Sequence, residues 1–219
     1  MAAVSDGAGS ASQSHTGSAE AAQAVLGAIL LEAIDPAVVS EDIVRLWVEK
    51  TRAHLDQIAE DRCIPVEQLA CTLLFAVVDP QGGLFVQVGD GAWVVEQGDD
   101  IRCATWPQNG EYANQTTFLT SDAALRNVQI SKIKGPITSL AGFTDGLQGL
   151  ALDFNARQPH RPFFRPLFDA MRSNDDESVL TESLLYFLGT PQIAERTDDD
   201  VTLLLATWCE PGSASDATV

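Results

Sequence analysis

The apolar residues of this chain change period as the chain runs, and the order of those changes limits the folds open to it. Over residues 18–34 they fall at Ala22, Val25, Leu26, Ile29, Leu30 and Ala33, the repeat of a helix face. Asp35-Pro36 breaks that repeat. Ser40 is placed to cap a second helix, whose stripe is Ile43, Leu46, Trp47, Leu55 and Ile58 with charges on the opposite face. Then the pattern becomes that of strands. Residues 72–78 form a continuous apolar run, as in a strand buried on both faces. Gln81-Gly82-Gly83 reads as a turn, after which Leu84, Val86 and Val88 alternate with Phe85 and Gln87. Gly89-Asp90-Gly91 interrupts this strand, and residues 92–96 read as its continuation beyond a bend. Further strands are expected at 101–106, 116–120, 127–133 and 139–144. Helices follow at 162–172 and 177–188, the second with Asn174 and Glu177 at capping-box spacing, and a last buried strand at 201–208. Two helices, then clustered strands, then helices and one strand is not a repeating strand-helix-strand pattern. It predicts an α+β fold of mostly antiparallel sheets covered by helices.

Composition narrows the partners. Asp and Glu number 31 against 13 Lys and Arg, for a formal charge of −18. Such a surface repels nucleic-acid phosphates and anionic membranes, so neither is expected as a partner. No apolar run reaches the ~20 residues of a membrane span. The first residues lack the basic and apolar segments of a secretory signal. The four cysteines, Cys63, Cys71, Cys103 and Cys209, form no C-x-x-C pair. The expectation is a cytoplasmic monomer with reduced thiols, one domain over residues 1–209, and a disordered Gly/Ser/Asp/Pro-rich tail over 210–219.

The chemistry-bearing pattern is a set of aspartate turns at strand ends: Asp6-Gly7, Gly89-Asp90-Gly91, Asp145-Gly146 and Asp198-Asp199-Asp200. Carboxylates at strand ends can meet at one edge of a sheet, and a neighbouring glycine lets the backbone approach a ligand with its carbonyl open to a cation. Any one of these turns is commonplace, since Asp and Gly serve turns everywhere. Four of them, each against an apolar strand, carry more weight. No Cys-x5-Arg loop and no Gly-x-Ser-x-Gly elbow is present, so a covalent nucleophile has no basis in the sequence.

The wording and order of the segments resemble the metal-dependent type 2C (PPM) serine/threonine protein phosphatases, in their compact bacterial branch. The matching segments are Val4-Ser5-Asp6-Gly7-Ala8-Gly9-Ser10, residues 70–74, Val88-Gly89-Asp90-Gly91, residues 112–119 (Tyr112-Ala113-Asn114-Gln115 onward), Gly142-Phe143-Thr144-Asp145-Gly146 and Asp199-Asp200-Val201-Thr202-Leu203. The resemblance implies a four-layer α/β/β/α sandwich with a site for two Mg²⁺ or Mn²⁺ ions between the sheets. It implies that Asp6 bridges both ions, that Gly7 offers its carbonyl, that Asp145 and Asp199 ligate one ion, and that Asp90 matches a residue helping to hold a weaker third. Asp6, Asp145 and Asp199 would then be catalytic, acting on a phosphorylated protein, the product of a cognate Ser/Thr kinase. Oxygen ligands of this kind suit Mg²⁺ and Mn²⁺ rather than zinc.

Two departures stand out. The family's first strands, with a further acidic ligand and a phosphate-binding arginine, precede the first Asp-Gly and have no counterpart before Asp6. Ala8 stands where many eukaryotic relatives carry a histidine. These departures leave open an alternative, a catalytically weak PPM-fold regulatory or phosphoprotein-binding module. Arg126, Arg157, Arg161 and Arg165 are candidates for phosphate contact by charge type, the segment 157–161 reading as a flap or loop. His15, His54 and His160 read as surface residues.

Overall fold

The computed structural model describes residues 1–32, 36, 38–108, 116–197 and 199–208. In chain order its elements are β1 (Ala2–Val4), α1 (Ser14–Leu30), α2 (Glu41–Arg62), β2 (Leu73–Asp79), β3 (Gly82–Val88), β4 (Ala92–Gln97), β5 (Asp100–Cys103), β6 (Gln129–Lys134), β7 (Ser139–Phe143), α3 (Gln148–Ala151), β8 (Leu152–Asp153), β9 (Gln158–Pro159), α4 (Arg161–Ser173), α5 (Glu177–Leu188), α6 (Pro191–Ala194) and β10 (Leu203–Thr207). The expected helix break at Asp35 lies outside the described residues, as do Tyr112 to Gln115, Asp198 and the tail.

α1 begins at Ser14, earlier than its apolar period suggests. Its first turn is held by a small residue instead: a Cβ on Gly17 would stand 2.0 Å from the Leu69 carbonyl oxygen. The buried positions Gly17, Ala21, Val25 and Ile29 recur every four residues. α2 is capped as expected, the Ser40 hydroxyl accepting from the Ile43 N–H at 3.3 Å. Glu41 and Asp42 face the positive helix end, and Cys63 closes the other end in the left-handed conformation. Its stripe differs from the expected one. Leu46 is exposed, while Val44, Trp47, Val48, Thr51, Leu55 and Ala59 are buried. Spacings of three and four residues from Val44 define the face that meets α1 and the sheet, and Leu46 falls off it.

Among the described residues the strands form two four-stranded sheets, in the orders β1-β2-β3-β6 and β10-β7-β4-β5, and a ribbon β8-β9. All pairings are antiparallel. β3 and β4 are therefore not one bent strand. Gly89-Asp90-Gly91 carries the chain from one sheet to the other. Gly89 takes φ +115, and a Cβ on Gly91 would lie 2.4 Å from the Phe143 carbonyl oxygen, so glycine is needed at both ends of this crossing. Residues 116–120 run as a turn rather than a strand, docked through the Leu119 N–H to the Cys71 carbonyl at 2.7 Å. At α5 the cap is Asp176, accepting from the N–H groups of Ser178 and Val179 at 3.0 and 3.2 Å. Asn174 instead closes the preceding turn on the Asp176 N–H at 2.9 Å.

Side-chain alternation sorts the strands into layers. Leu73, Phe75, Leu84, Val86 and Val88 pack outward against Val25, Trp47, Val48 and Leu55 of α1 and α2. Leu74, Ala76 and Phe85 turn inward, where they meet Trp93, Val95 and Leu140 of the second sheet. Ala92, Val94, Ala141, Phe143 and Leu203 face outward again onto Phe163, Phe164 and Phe168 of α4. Three apolar interfaces in this order make four layers, helices on sheet on sheet on helices, as the family resemblance implies.

Candidate metal centre

The sheet registers bring the aspartate turns to one end of the sandwich. Phe143 at the end of β7 lies between Ala92 of β4 and Leu203 of β10. Two residues past Phe143 is Asp145, two before Ala92 is Asp90, and four before Leu203 is Asp199. Asp6 comes from the other sheet, two residues past Val4, on a strand that contacts β7 across the sandwich.

Each turn is pinned by hydrogen bonds a few residues from its carboxylate. The Thr72 N–H donates to the Asp6 carbonyl at 2.8 Å, the Asp6 N–H donates to the Thr72 hydroxyl at 3.0 Å, and the Ser5 hydroxyl donates to the Thr72 carbonyl at 2.5 Å. A Cβ on Gly7 would come within 2.8 Å of Ser14, so glycine lets the start of α1 close on this turn. At the second turn the Thr202 N–H donates to the Thr144 hydroxyl at 3.2 Å, tying the Asp145 and Asp199 segments together. A Cβ on Gly146 would lie 2.4 Å from the Asp200 carbonyl oxygen, and the absence of a side chain allows these two turns to abut. Asp90 accepts from the Thr116 hydroxyl, and its carbonyl accepts from the Gln148 amide at 2.6 Å. Asp199 is exposed and accepts from the Asp200 N–H at 2.9 Å. Of the residues holding the turns, Gln148 carries no pattern that sequence reasoning could use, because its bond crosses from one turn to another.

The carboxyl groups of Asp6 and Asp145 hydrogen-bond to each other. Burial, then the charges of Asp145 and Asp199, push Asp6 up to about 7. Asp145 is also raised, first by burial and then by the charges of Asp90 and Asp199. Asp6 thus keeps its proton well above the usual carboxylate range, because ionising it in this partly buried place sets it against the charges of Asp145 and Asp199. Asp145 Oδ1 is buried and has no hydrogen-bond partner. Asp6 and Asp145 thus meet, while Asp90 and Asp199 act on them by charge. Among the described residues no three His, Cys, Asp or Glu side chains are already gathered in the form of a metal site.

The donor set fits a hard divalent cation. It is made of carboxylate oxygens with an unpartnered acceptor and a proton where a cation would relieve the repulsion. The nearby Cys71 thiol is pushed up to about 12, chiefly by burial, and so stays protonated and a poor ligand. Of the candidate arginines, Arg161 is bound to Asp100 at 3.1 Å and Arg165 to Glu96 at 2.9 Å. Arg126 is exposed. His54 pairs with Glu20 at 3.0 Å, and His15 and His160 are exposed.

A consequence concerns the metal-free protein. Asp6 titrates at about 7 in the fold against an ordinary value of 3.8, so the folded state keeps a proton that the unfolded chain releases. That contribution to stability is complete below about pH 4 and is lost as pH rises through about 7. With chelator present, the wild type should lose thermal stability relative to Asp6→Asn as pH rises from 4 to 8. Parallel curves for the two proteins would show that the carboxyl pair is not formed.

Residues 1–189 match the family model of protein phosphatase 2C. The chain belongs to this family. The phosphatase is 37% identical over 210 residues to serine/threonine-protein phosphatase 3 of Escherichia coli (strain K12), a match spanning 94% of this chain and 83% of that one. It is accordingly a serine/threonine protein phosphatase. Solved structures share its fold at low identity. A bacterial serine phosphatase superposes with TM-score 0.66 at 14% identity, over 94% of this phosphatase and 84% of that chain. Stp1 from Staphylococcus aureus gives TM-score 0.64 at 14% identity, over 95% and 83%. The catalytic domain of PstP, solved in complex with two manganese ions, gives 0.58 at 14% identity, over 93% and 84%. Asp199 lies beyond the residues that the family model matches, and its place beside Asp145 comes from the β7–β10 pairing.

Proposed function

We propose that this phosphatase hydrolyses phosphoserine and phosphothreonine in proteins at the carboxylate cluster, with Asp6, Asp145 and Asp199 as its central residues. One observation carries the assignment of the site: carboxyls from opposite sheets, Asp6 and Asp145, come together in a partly buried place, where Asp145 Oδ1 has no hydrogen-bond partner among the described residues. In this reading Asp6, the Gly7 carbonyl, Asp145 and Asp199 would hold two cations, and Asp90 would help to hold a weaker third. Two bound Mg²⁺ or Mn²⁺ ions supply a water acidic enough to ionise near neutral pH and neutralise charge on the transferred phosphoryl group. The residues of the chain do the rest by position. Thr72 and Ser5 fix the backbone on which Asp6 stands, Gly7 and Gly146 let two turns close on it, and Thr116 and Gln148 hold Asp90.

The substrate is a phosphoprotein made by a Ser/Thr kinase, and the enzyme works as a monomer in the cytoplasm. No helix among the described residues is long and apolar enough to cross a membrane, and the charge of −18 speaks against anionic surfaces. The second reading, a weakly catalytic phosphoprotein-binding module, draws on the cluster's not being gathered into a closed metal site.

The test is phosphothreonine-peptide hydrolysis by chelator-treated protein before and after adding Mn²⁺ or Mg²⁺. Activity should vanish with chelator and return with either ion. Peptide binding without turnover at millimolar metal would favour the second reading, and neither binding nor turnover would overturn both.

A further inference from the structure

The thirteen Lys and Arg residues are scarce in so acidic a chain, and those of α4 are engaged at the end of β4 away from the carboxylate cluster. Arg161 and Arg165 are bound to Asp100, Glu96 and the Asp99 carbonyl. Arg172 is bound to Glu96 and Asp169. Arg157 is different. It is exposed, no carboxylate among the described residues pairs with it, and its guanidinium lies over the Trp106 ring, 5.7 Å from the centroid. It sits in the tip joining β8 to β9, with φ +51. Among the described non-glycine residues only Cys63, which ends α2, shares a positive φ. Arginine there costs backbone strain that glycine would not.

The seat under Arg157 is bonded through to the turn that carries Asp90. Phe154 of the same tip packs edge-on against Trp106, with centroids 5.5 Å apart. The Trp106 carbonyl accepts from the Gln129 amide at 2.7 Å and from the Gln87 amide at 3.2 Å. Gln87 is fully buried, and the same amide nitrogen donates at 3.0 Å to the carbonyl of Gly89, next to Asp90. One buried amide therefore spans the platform of Arg157 and the turn carrying Asp90. A net charge of −18 repels a phosphoprotein, so an exposed cation seated on a ring that is bonded through Gln87 to the Asp90 turn would offset that repulsion.

We propose that Arg157 is a substrate-binding residue that receives an oxyanion of the phosphoprotein, held in place by Trp106 through Gln87. This rests on the phosphatase reading above and adds the residue that recognises substrate. Cation–π seating holds the guanidinium plane and leaves its edge N–H groups open to a carboxylate or phosphate.

The experiment compares wild type, Arg157→Gly and Arg157→Lys, each loaded with Mn²⁺. The substrates are p-nitrophenyl phosphate, a phosphothreonine peptide flanked by Asp and Glu, and the same peptide flanked by Ala. Glycine suits the backbone at this position, so the melting temperature should hold or rise while KM for the acidic peptide rises roughly tenfold with kcat unchanged. Lysine should recover part of that loss. A rise confined to the acidic peptide assigns the contact to a flanking carboxylate. A rise shared by all three substrates assigns it to the reacting phosphate. Unchanged KM for every substrate with an active wild type overturns the role of Arg157 alone. A wild type that turns over none of them overturns the phosphatase reading, and this inference with it.

Discussion

Asp6→Asn leaves the protein folded and without useful activity. We expect kcat/KM on a phosphopeptide to fall on the order of 10³-fold or more, since under the proposed function this one side chain would hold both cations. The substitution is nearly isosteric. The backbone bonds to Thr72 do not involve the carboxylate and should persist. The metal-free protein should in fact become more stable at pH 8, where wild-type Asp6, titrating at about 7, takes on a charge in a partly buried position beside Asp145 and Asp199. An asparagine amide can donate to Asp145 with no charge conflict. The paired measurement is kcat/KM with Mn²⁺ and the melting temperature with chelator, each for wild type and variant. Retained turnover in Asp6→Asn would move the active centre elsewhere. Lost turnover accompanied by a lower metal-free melting temperature would mean that Asp6 is there for folding.

The second large effect lies at the opposite end of β4. Glu96 is 1% exposed, yet its carboxylate is fully engaged: by Arg165 at 2.9 Å, by Arg172, and by the Ser139 and Thr138 hydroxyls at 2.8 and 3.3 Å. Both arginines come from α4, so the cluster fastens that helix to the second sheet. The partners are not equivalent. The arginine side chains are 38% and 37% exposed and can return to water, whereas Glu96 cannot. The double substitution Arg165→Ala/Arg172→Ala strands a buried carboxylate and should cost about 3–5 kcal/mol. Glu96→Gln keeps the shape and the hydroxyl contacts and should cost only about 1–2 kcal/mol. In a domain of this size the double variant should melt on the order of 10 °C lower. Denaturant titration of both variants checks the order. If Glu96→Gln proves the more damaging, the cluster is held by charge attraction rather than by the cost of a stranded buried charge.

Much of the architecture was legible because it depends on short-range patterning. The change from helical to strand period, the Ser40 cap and the alternation Leu84-Phe85-Val86 each encode local geometry and the face that a side chain must bury. The structure differs from the sequence expectation where small or polar residues decide the packing. Gly17 extends α1 because Leu69 presses on it, and Asp176 rather than Asn174 caps α5. The bend at residues 89–91 proved to be a passage between sheets, because hydrophobic alternation is the same whether the next strand joins the old sheet or faces it.

The sequence by itself determined which residues could ligate a cation, since only acidic turns beside glycines offer clustered hard oxygens at strand ends. It also determined that mostly antiparallel sheets would be covered by helices, since apolar periods dictate which surfaces must be covered. Only the tertiary structure decided that Asp6 and Asp145 come together while Asp90 and Asp199 act by charge, and that among the described residues Arg157 pairs with no carboxylate while Arg161 and Arg165 do. Those outcomes hang on strand register and on side chains distant in the chain. Desolvation and Coulomb forces act through space, and nothing local in a sequence states which groups the fold will make neighbours.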